Sequence, residues 1–189
     1  FISASGIGYY GDCAETTIDE KSPKGNDFLA HVCSVWESES QKIGQYGIRN
    51  VQIRTGLVLS PEDGALKQML PPFKFFIGGP LGNGKQWFSW LHIDDIIGIY
   101  LHAIDNKELS GAVNAATSNP VRMKEFAKTL GKVLKRPSLF PVPKFILKIV
   151  VGEAAEVVTA SQRIDASKIL DSGYKFKFEK LEDALKDLL

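Results

Sequence analysis

The chain has little cysteine and little histidine, and this excludes two classes of protein. Its 189 residues contain two cysteines, Cys13 and Cys33, and they form no C-x-x-C pair. So few thiols exclude a secreted disulfide scaffold and favour a cytoplasmic location. The nearest approach to a metal-ligand pair is His31-x-Cys33, whose side chains point apart on a helix. We therefore expect no metal site.

Excess charge and long apolar runs are also missing. The formal net charge is +1, so no basic excess indicates a nucleic-acid partner. The longest apolar run, near FILKIVVG, is broken by Lys148 and falls short of the roughly 20 residues that span a bilayer. We expect neither nucleic acid nor membrane as a partner. With 44% hydrophobic and 24% charged residues, the composition is that of a globular chain of one domain or slightly more.

The first glycines have the G-x-G-x-x-G spacing of a dinucleotide phosphate loop: Gly6, Gly8 and Gly11. That loop needs a helix directly afterwards, whose N-terminus holds the phosphates. The stretch that follows, DCAETTIDEKSPKGND, has no helical period and contains proline and glycine. We therefore interpret the glycines as a turn after a strand, and not as a phosphate loop.

Apolar periodicity predicts strands that alternate with helices, which is typical of an α/β fold with parallel strands. Asp27 is the expected cap of a first helix that ends near Gly47 and turns Phe28, Val32, Val35, Trp36 and Ile43 inward. A short helix over 65–70 is expected to stop at Pro71 and Pro72. Asp94 is the expected cap of a helix with Ile97, Tyr100, Leu101 and Ile104 on one face, and His92 is expected to be structural. Strands are predicted at Val51–Thr55, at LVL after Gly56 and at GAVNAAT, and a further helix at Met123–Leu134.

The pattern of the sequence changes beyond Pro137, which suggests that a second structural unit begins there. Short helical segments separated by glycine and proline lead to a closing helix with Leu181, Ala184, Leu185 and Leu188 at i, i+3, i+4 and i+7. We predict a main α/β part over 1–136 and a small, mainly helical lobe over 137–189.

Several segments carry a family resemblance that runs nearly from end to end. They are ISASGIGYYGD, DFLAHVCSVWE, IRTGLVLSPEDGALKQMLPPF, GGPLGNGKQWFSWLHIDD, GAVNAATSNPV and SQRIDASKILDSGYKF. In this order they resemble the second half of an atypical extended short-chain dehydrogenase/reductase, in the "epimerase family" subgroup with a small C-terminal domain of unknown function. The resemblance implies the C-terminal part of a Rossmann-like, doubly wound parallel sheet, together with a small helical lobe on the substrate side.

The resemblance also implies a cofactor, NADP or NAD, and a small-molecule substrate. It makes FISAS a late strand of the sheet and places the true phosphate loop upstream, with roughly 100 residues missing. We therefore expect weak or no dinucleotide affinity in these 189 residues alone. The residues implied to contact the cofactor are Ser5, Arg54, Thr55, Gly56, Leu57 and Val58.

Catalysis in the wider superfamily uses a serine and a Tyr-x-x-x-Lys pair. The Tyr-x-x-x-Lys pair is missing from this sequence. The alignment puts Leu29 at the tyrosine position and Cys33 at the lysine position. Ser5 is placed at the serine, although a structural strand-end hydroxyl is an equal alternative. Tyr9 or Tyr10 could replace the missing tyrosine, but packing on the loop is the simpler interpretation of both.

The substrate pocket departs from the nucleotide-sugar enzymes as well. Where those enzymes usually carry a diphosphate-binding arginine, this chain has Phe88. Together with Lys85, Trp87 and Trp90, it predicts an aromatic, apolar substrate pocket. Three functions follow: an NAD(P)-dependent oxidoreductase or epimerase-like enzyme, a non-catalytic NADP(H)-binding sensor, or an interaction protein. The substrate is unknown, and a homodimer is left open.

Overall fold

The computed structural model describes residues 1–143 and 158–189. The strands are β1 (Ile2–Gly6), β2 (Thr17–Ile18), β3 (Val51–Thr55), β4 (Leu57–Leu59), β5 (Trp87–Phe88), β6 (Trp90–His92), β7 (Gly111–Ala115), β8 (Val121–Arg122) and β9 (Arg163–Ile164). The helices are α1 (Phe28–Gln41), α2 (Gly64–Lys74), α3 (Ile93–Asp105), α4 (Met123–Leu134), α5 (Ser167–Asp171) and α6 (Leu181–Leu188). Short 3-10 helices lie at Ile7–Tyr10 and Lys42–Tyr46.

The central sheet is parallel, with the strand order β1-β3-β7. Ile2 lies opposite Val51, which lies opposite Gly111, and the register continues to the strand ends. In the described ranges β1 pairs with β3 only. Two further parallel pairs, β4-β6 and β2-β9, and one antiparallel pair, β5-β8, surround this sheet. The prediction of an α/β fold with parallel strands is confirmed.

Helix α3 covers one face of the central sheet with apolar side chains. Ile99 and Ala103 are buried against Val51, Ile53 and Val113. The apolar face predicted from the sequence is mainly the outer one, because its members Ile97, Leu101 and Ile104 are more than half exposed. Periodicity identifies an apolar stripe, and here the helix carries two such stripes, of which only one meets the sheet.

Helix α1 covers the opposite face, and there the buried contacts are polar. Ala30, Cys33 and Glu37 face the sheet, whereas Phe28, Val35 and Trp36 are exposed. The inward face predicted for this helix was therefore wrong. Its limits were better predicted, since Asp27 Oδ1 accepts a hydrogen bond from Ala30 N at 2.8 Å and Gly47, with φ of 69°, closes the following 3-10 turn.

Two helix boundaries differ from the predictions for identifiable reasons. Helix α2 continues through Pro71 and Pro72 to Lys74, because the proline carbonyls still accept bonds from Phe75 N at 3.1 Å and Ile77 N at 2.9 Å. Helix α3 is capped by His92 and not by Asp94, since His92 Nδ1 accepts a hydrogen bond from Asp94 N at 3.0 Å. The structural role predicted for His92 is confirmed, because its side chain is buried at the helix start.

The C-terminal segment is held against α3 by hydrogen bonds to one buried carboxylate, that of Asp95. Asp95 accepts hydrogen bonds from Tyr174 OH at 3.0 Å, Lys177 N at 2.7 Å and Phe178 N at 3.1 Å. Helix α6 then packs against α2 and α4 in an apolar core, which includes Leu59, Phe73, Phe126, Leu130, Leu181 and Leu185. The closing helix is confirmed as predicted. The predicted division at 137 stays a prediction, and residues 144–157 of that lobe lie outside the described residues.

Candidate functional site

A cleft of about 370 Å³ lies at the carboxyl ends of β1 and β3. In open α/β sheets, ligands bind outside the carboxyl ends of the strands. The turn after β1 contributes Gly6, Ile7 and Gly8 to its wall. The junction of β3 and β4 contributes the segment Thr55–Leu57.

Two further walls close the cleft. The start of α1 supplies Asp27, Leu29 and Cys33. The C-terminal segment supplies Ala160 and Gln162 from the other side. The cleft is therefore shared between the sheet and the segment before β9.

The glycine-rich turn forms the rim of the cleft and has the geometry of a turn, not of a phosphate loop. After Gly6 the chain makes a single 3-10 turn, and the next α-helix begins only at Phe28. Gly11 has φ of 67°, and a Cβ there would lie 2.7 Å from Asp27 Oδ2. This conformation and this close approach both favour glycine. The prediction that no helix directly follows the glycines is confirmed.

Gln162 holds this turn in place, and the sequence analysis did not identify it. Its Nε2 donates to Ile7 O and to Gly11 O, both at 2.8 Å. The side chain is buried and also lines the cleft. The available signal was its position in the motif SQRIDASK. One amide from the C-terminal lobe thus fixes the shape of a cleft built by the sheet.

Ser5 points away from the cleft, into a buried ion pair. Its Oγ donates to Glu37 Oε1 at 2.7 Å, and the same carboxylate accepts from Arg54 Nε at 2.8 Å and from Arg54 Nη2 at 2.7 Å. Burial opposes the charge of Arg54, but its hydrogen bond to Glu37 raises the pKa of the guanidinium above its ordinary value. Because side chains alternate along a strand, it is Gly6, which has no hydroxyl, that lines the cleft.

The two tyrosines belong to the same buried network. Arg54 Nη1 donates to Tyr10 OH at 2.8 Å, and Tyr10 OH donates to Asn114 Oδ1 at 2.7 Å. The Arg54 guanidinium also lies 3.6 Å from the centre of the Tyr9 ring. Burial raises the pKa of Tyr10 to about 12, which keeps its phenol protonated.

Leu29 and Cys33, at the positions aligned with the superfamily's tyrosine and lysine, both line the cleft. Leu29 has no proton to exchange. Burial raises the pKa of the Cys33 thiol above its ordinary value, so the thiol stays protonated near neutral pH.

The predicted aromatic pocket is not gathered at this cleft. Phe88 and Trp90 are 1% and 0% exposed and belong to the apolar core. Trp87 lies near the surface, with the Arg122 guanidinium 3.9 Å from the centre of its ring. Lys85 is exposed and does not line the cleft.

Of the predicted cofactor residues, Thr55, Gly56 and Leu57 line the cleft. Ser5 and Arg54 lie beneath it in the Glu37 network, and the half-buried Val58 packs against the core below α3. The roles assigned to these residues stay predictions.

Two other kinds of feature are missing from the described part of the chain. No group of three or more histidine, cysteine, aspartate or glutamate side chains comes together there as a metal site would require. No helix among those residues is long and apolar enough to cross a membrane.

Known proteins resemble the chain over its whole length. It is 43% identical to the epimerase family protein SDR39U1 homolog, chloroplastic, of Arabidopsis thaliana and 41% identical to the epimerase family protein YfhF of Bacillus subtilis, with 100% of this chain covered in both. These matches cover 54% and 62% of the two relatives, so the chain spans less than two thirds of their length. The family described as "Domain of unknown function (DUF1731)" matches residues 142–188.

Solved structures give the same result. Human epimerase family protein SDR39U1, whose structure was solved with NADPH, is 33% identical with a TM-score of 0.93 over 99% of this chain and 64% of that chain. The nucleoside-diphosphate sugar epimerase of Corynebacterium glutamicum is 33% identical with a TM-score of 0.78, over 99% of this chain and 36% of that chain. The chain therefore has the fold of the C-terminal part of an epimerase-type short-chain dehydrogenase/reductase, with a Rossmann-like sheet.

Among named proteins, the chain is similar to the epimerase family proteins SDR39U1 and YfhF. The family resemblance inferred from the sequence motifs is confirmed.

Proposed function

We propose that the full-length protein is an NAD(P)-dependent oxidoreductase or epimerase-like enzyme whose cleft receives the nicotinamide end of NADP or NAD. The observation that carries this proposal is the position of the cleft, at the carboxyl ends of two neighbouring parallel strands, in a chain 33% identical to a human relative solved with NADPH. The segment Thr55–Leu57 and the Gly6–Gly8 turn are the proposed neighbours of the nicotinamide.

The described walls suit one half of the cofactor better than the other. Ile7, Leu29 and Leu57 offer apolar surface to a flat ring, and the glycines allow the backbone to approach it. When bound, the nicotinamide would supply hydride exchange, while the protein positions the substrate and excludes water. The cofactor phosphates would need groups outside this lining, since none of its described residues is a lysine or an arginine.

A second candidate, a non-catalytic NADP(H) sensor, is favoured by a specific observation. The residues considered for the superfamily's serine and tyrosine roles are occupied or poorly suited: Ser5 donates to Glu37, Tyr10 has a raised pKa, and Leu29 stands at the tyrosine position. Tight cofactor binding without turnover is the behaviour expected of such a protein.

Binding and turnover measured on the full-length gene product separate these functions. NADPH fluorescence should change saturably on titration, and Leu57→Glu should weaken binding about tenfold or more by placing a charge on the apolar wall. Gln45→Glu, on an exposed turn, is the matched control and should bind normally. Cofactor oxidation across a panel of carbonyls and alcohols would support the enzyme, and binding without turnover the sensor. The absence of binding would contradict both and leave an interaction protein.

A further inference from the structure

The charge of the cleft restricts the molecules that it accepts. Among the described residues of its lining, the ionisable side chains other than the Cys33 thiol are two carboxylates, Asp12 and Asp27. The remaining wall is largely apolar, with Ile7, Leu29 and Leu57. A concave site lined by charge of one sign repels ligands of the same sign.

Arginines around the cleft already have other partners, and Arg163, which follows Gln162, has its guanidinium 4.6 Å from the centre of the Trp87 ring. Arg54, beneath the floor, is held by both oxygens of Glu37 and is 4% exposed. Arg122 is held by Glu15 through both of its terminal nitrogens, at 2.9 and 2.5 Å. A diphosphate calls for a bidentate guanidinium, and neither of these arginines is available to provide one.

The N-terminus of α1 is a feature of the described lining that could attract an anion. Its backbone N–H groups and dipole favour negative charge. The carboxylate of Asp27 already occupies this position, because it accepts the hydrogen bond from Ala30 N. The helix end is therefore satisfied within the protein, and its charge is balanced.

We propose, resting on the function proposed above, that the substrate meeting the nicotinamide in this cleft is a small uncharged carbonyl or alcohol with an apolar body. Nucleoside-diphosphate sugars are disfavoured, because their phosphates would face Asp12 and Asp27 without a compensating cation among the described residues of the lining. The size of the cleft, about 370 Å³ to be shared with the nicotinamide, agrees with a small substrate.

The charge of the cleft can be measured without knowing the substrate, through a cysteine placed in its wall. The full-length gene product would carry Leu29→Cys, with its other cysteines replaced by serine. The thiol would be labelled with two methanethiosulfonate reagents, one carrying a trimethylammonium group and one a sulfonate. The rate of each reagent with the protein would be divided by its rate with the free thiol 2-mercaptoethanol, which corrects for intrinsic reactivity. At low ionic strength we expect the cationic reagent to be favoured about fivefold, from the Coulomb energy of nearby carboxylates. The preference should shrink in molar salt.

Matched variants make the test specific. Asp12→Asn combined with Asp27→Asn should abolish most of the preference while keeping the helix cap, because asparagine also caps. Gln45→Cys, on the exposed turn after α1, should react without a comparable preference. Thr55→Cys provides a second reporter from the opposite wall. A preference for the anionic reagent, or one that the two asparagines leave unchanged, would overturn the proposal.

A failure of the inferred substrate class can also be distinguished from a failure of the proposed cofactor binding. Millimolar UDP should not slow labelling of Leu29→Cys, and strong protection by UDP would overturn the substrate class even if NADPH binds. If NADPH fails to bind while the cationic preference persists, the cofactor proposal fails and the inferred charge of the cleft stands.

Discussion

The two faces of the central sheet are covered by helices in opposite ways. Under α3 the contacts are apolar, with Ile53 and Ile99 fully buried. Under α1 the sheet presents buried polar side chains, among them Arg54 and Asn114, which meet Glu37 and Tyr10. An apolar face gains stability from the area removed from water, whereas a polar face is stabilised by pairing its groups, although Ser3 Oγ on β1 stays buried without a partner.

This difference explains how the cleft obtains a fixed shape. The polar network reaches from the floor of the sheet to the glycine turn, because Tyr10 ends the 3-10 helix that forms the rim. A sliding apolar contact would not fix that turn in one position. A network of directional bonds from Glu37 to Asn114 does so.

The largest expected effect comes from breaking the polar face. Glu37→Ala would leave the Arg54 guanidinium buried without a counter-charge, and we expect a loss of about 3–5 kcal/mol in the free energy of unfolding. Glu39→Ala, on the exposed side of the same helix, is the control and should change stability by about 0.5 kcal/mol or less. Urea denaturation measures both variants, and similar losses in the two would contradict a special role for the buried pair.

The next largest loss of stability is expected from Asp95, a buried polar residue on the otherwise apolar side of the sheet. Asp95 is fully buried at the start of α3 and accepts three hydrogen bonds from the C-terminal segment. Asp95→Ala should cost roughly 2–3 kcal/mol, because three donors lose their acceptor. Limited proteolysis should then cut preferentially near 174–178. Asp105→Ala, exposed at the other end of the helix, should alter neither stability nor cleavage.

The sequence predicted the elements better than their orientation. Helix α4 and strand β3 have the predicted limits, since a clear apolar period or alternation marks each of them. The inward face predicted for α1 was wrong and the apolar face predicted for α3 is mainly exposed, because each helix has apolar residues on two sides and only the sheet decides between them. The ion pair of Glu37 and Arg54 gave no signal, since isolated charged residues in a sequence usually indicate solvent.

The site was predicted in part for a similar reason. Thr55, Gly56 and Leu57 line the cleft because they continue directly from a well-marked strand, and the cofactor contact implied for them stays a prediction. Ser5 and Gly6 differ by one position, and one position on a strand exchanges the two faces of the sheet. Gln162 comes from a distant part of the chain, so only the folded arrangement places it against Ile7 and Gly11.

A small truncation on the apolar face should lower the free energy of unfolding less than the loss of either buried carboxylate. Ile53→Val removes one methylene from a fully buried position beneath α3, and we expect a loss of about 0.5–1.5 kcal/mol. The exposed stripe of the same helix offers the control, since Ile97→Val should be nearly neutral. Thermal or urea unfolding compares the two, and an equal cost at both positions would mean that the outer stripe is also buried in solution.

The smallest expected effect is a dependence of stability on pH at the junction of β6 and α3. Burial lowers the pKa of His92, against the opposing influence of Asp94 and Asp187. Its Nδ1 must stay unprotonated to accept the bond from Asp94 N at 3.0 Å. As the pH falls below about 6.5, the unfolded chain takes up a proton that the folded state resists, so the free energy of unfolding decreases. His92→Asn keeps a capping side chain but removes the titration, and unfolding measured from pH 8 towards pH 5 should show a flatter profile for this variant. Identical profiles would show that another group governs this range.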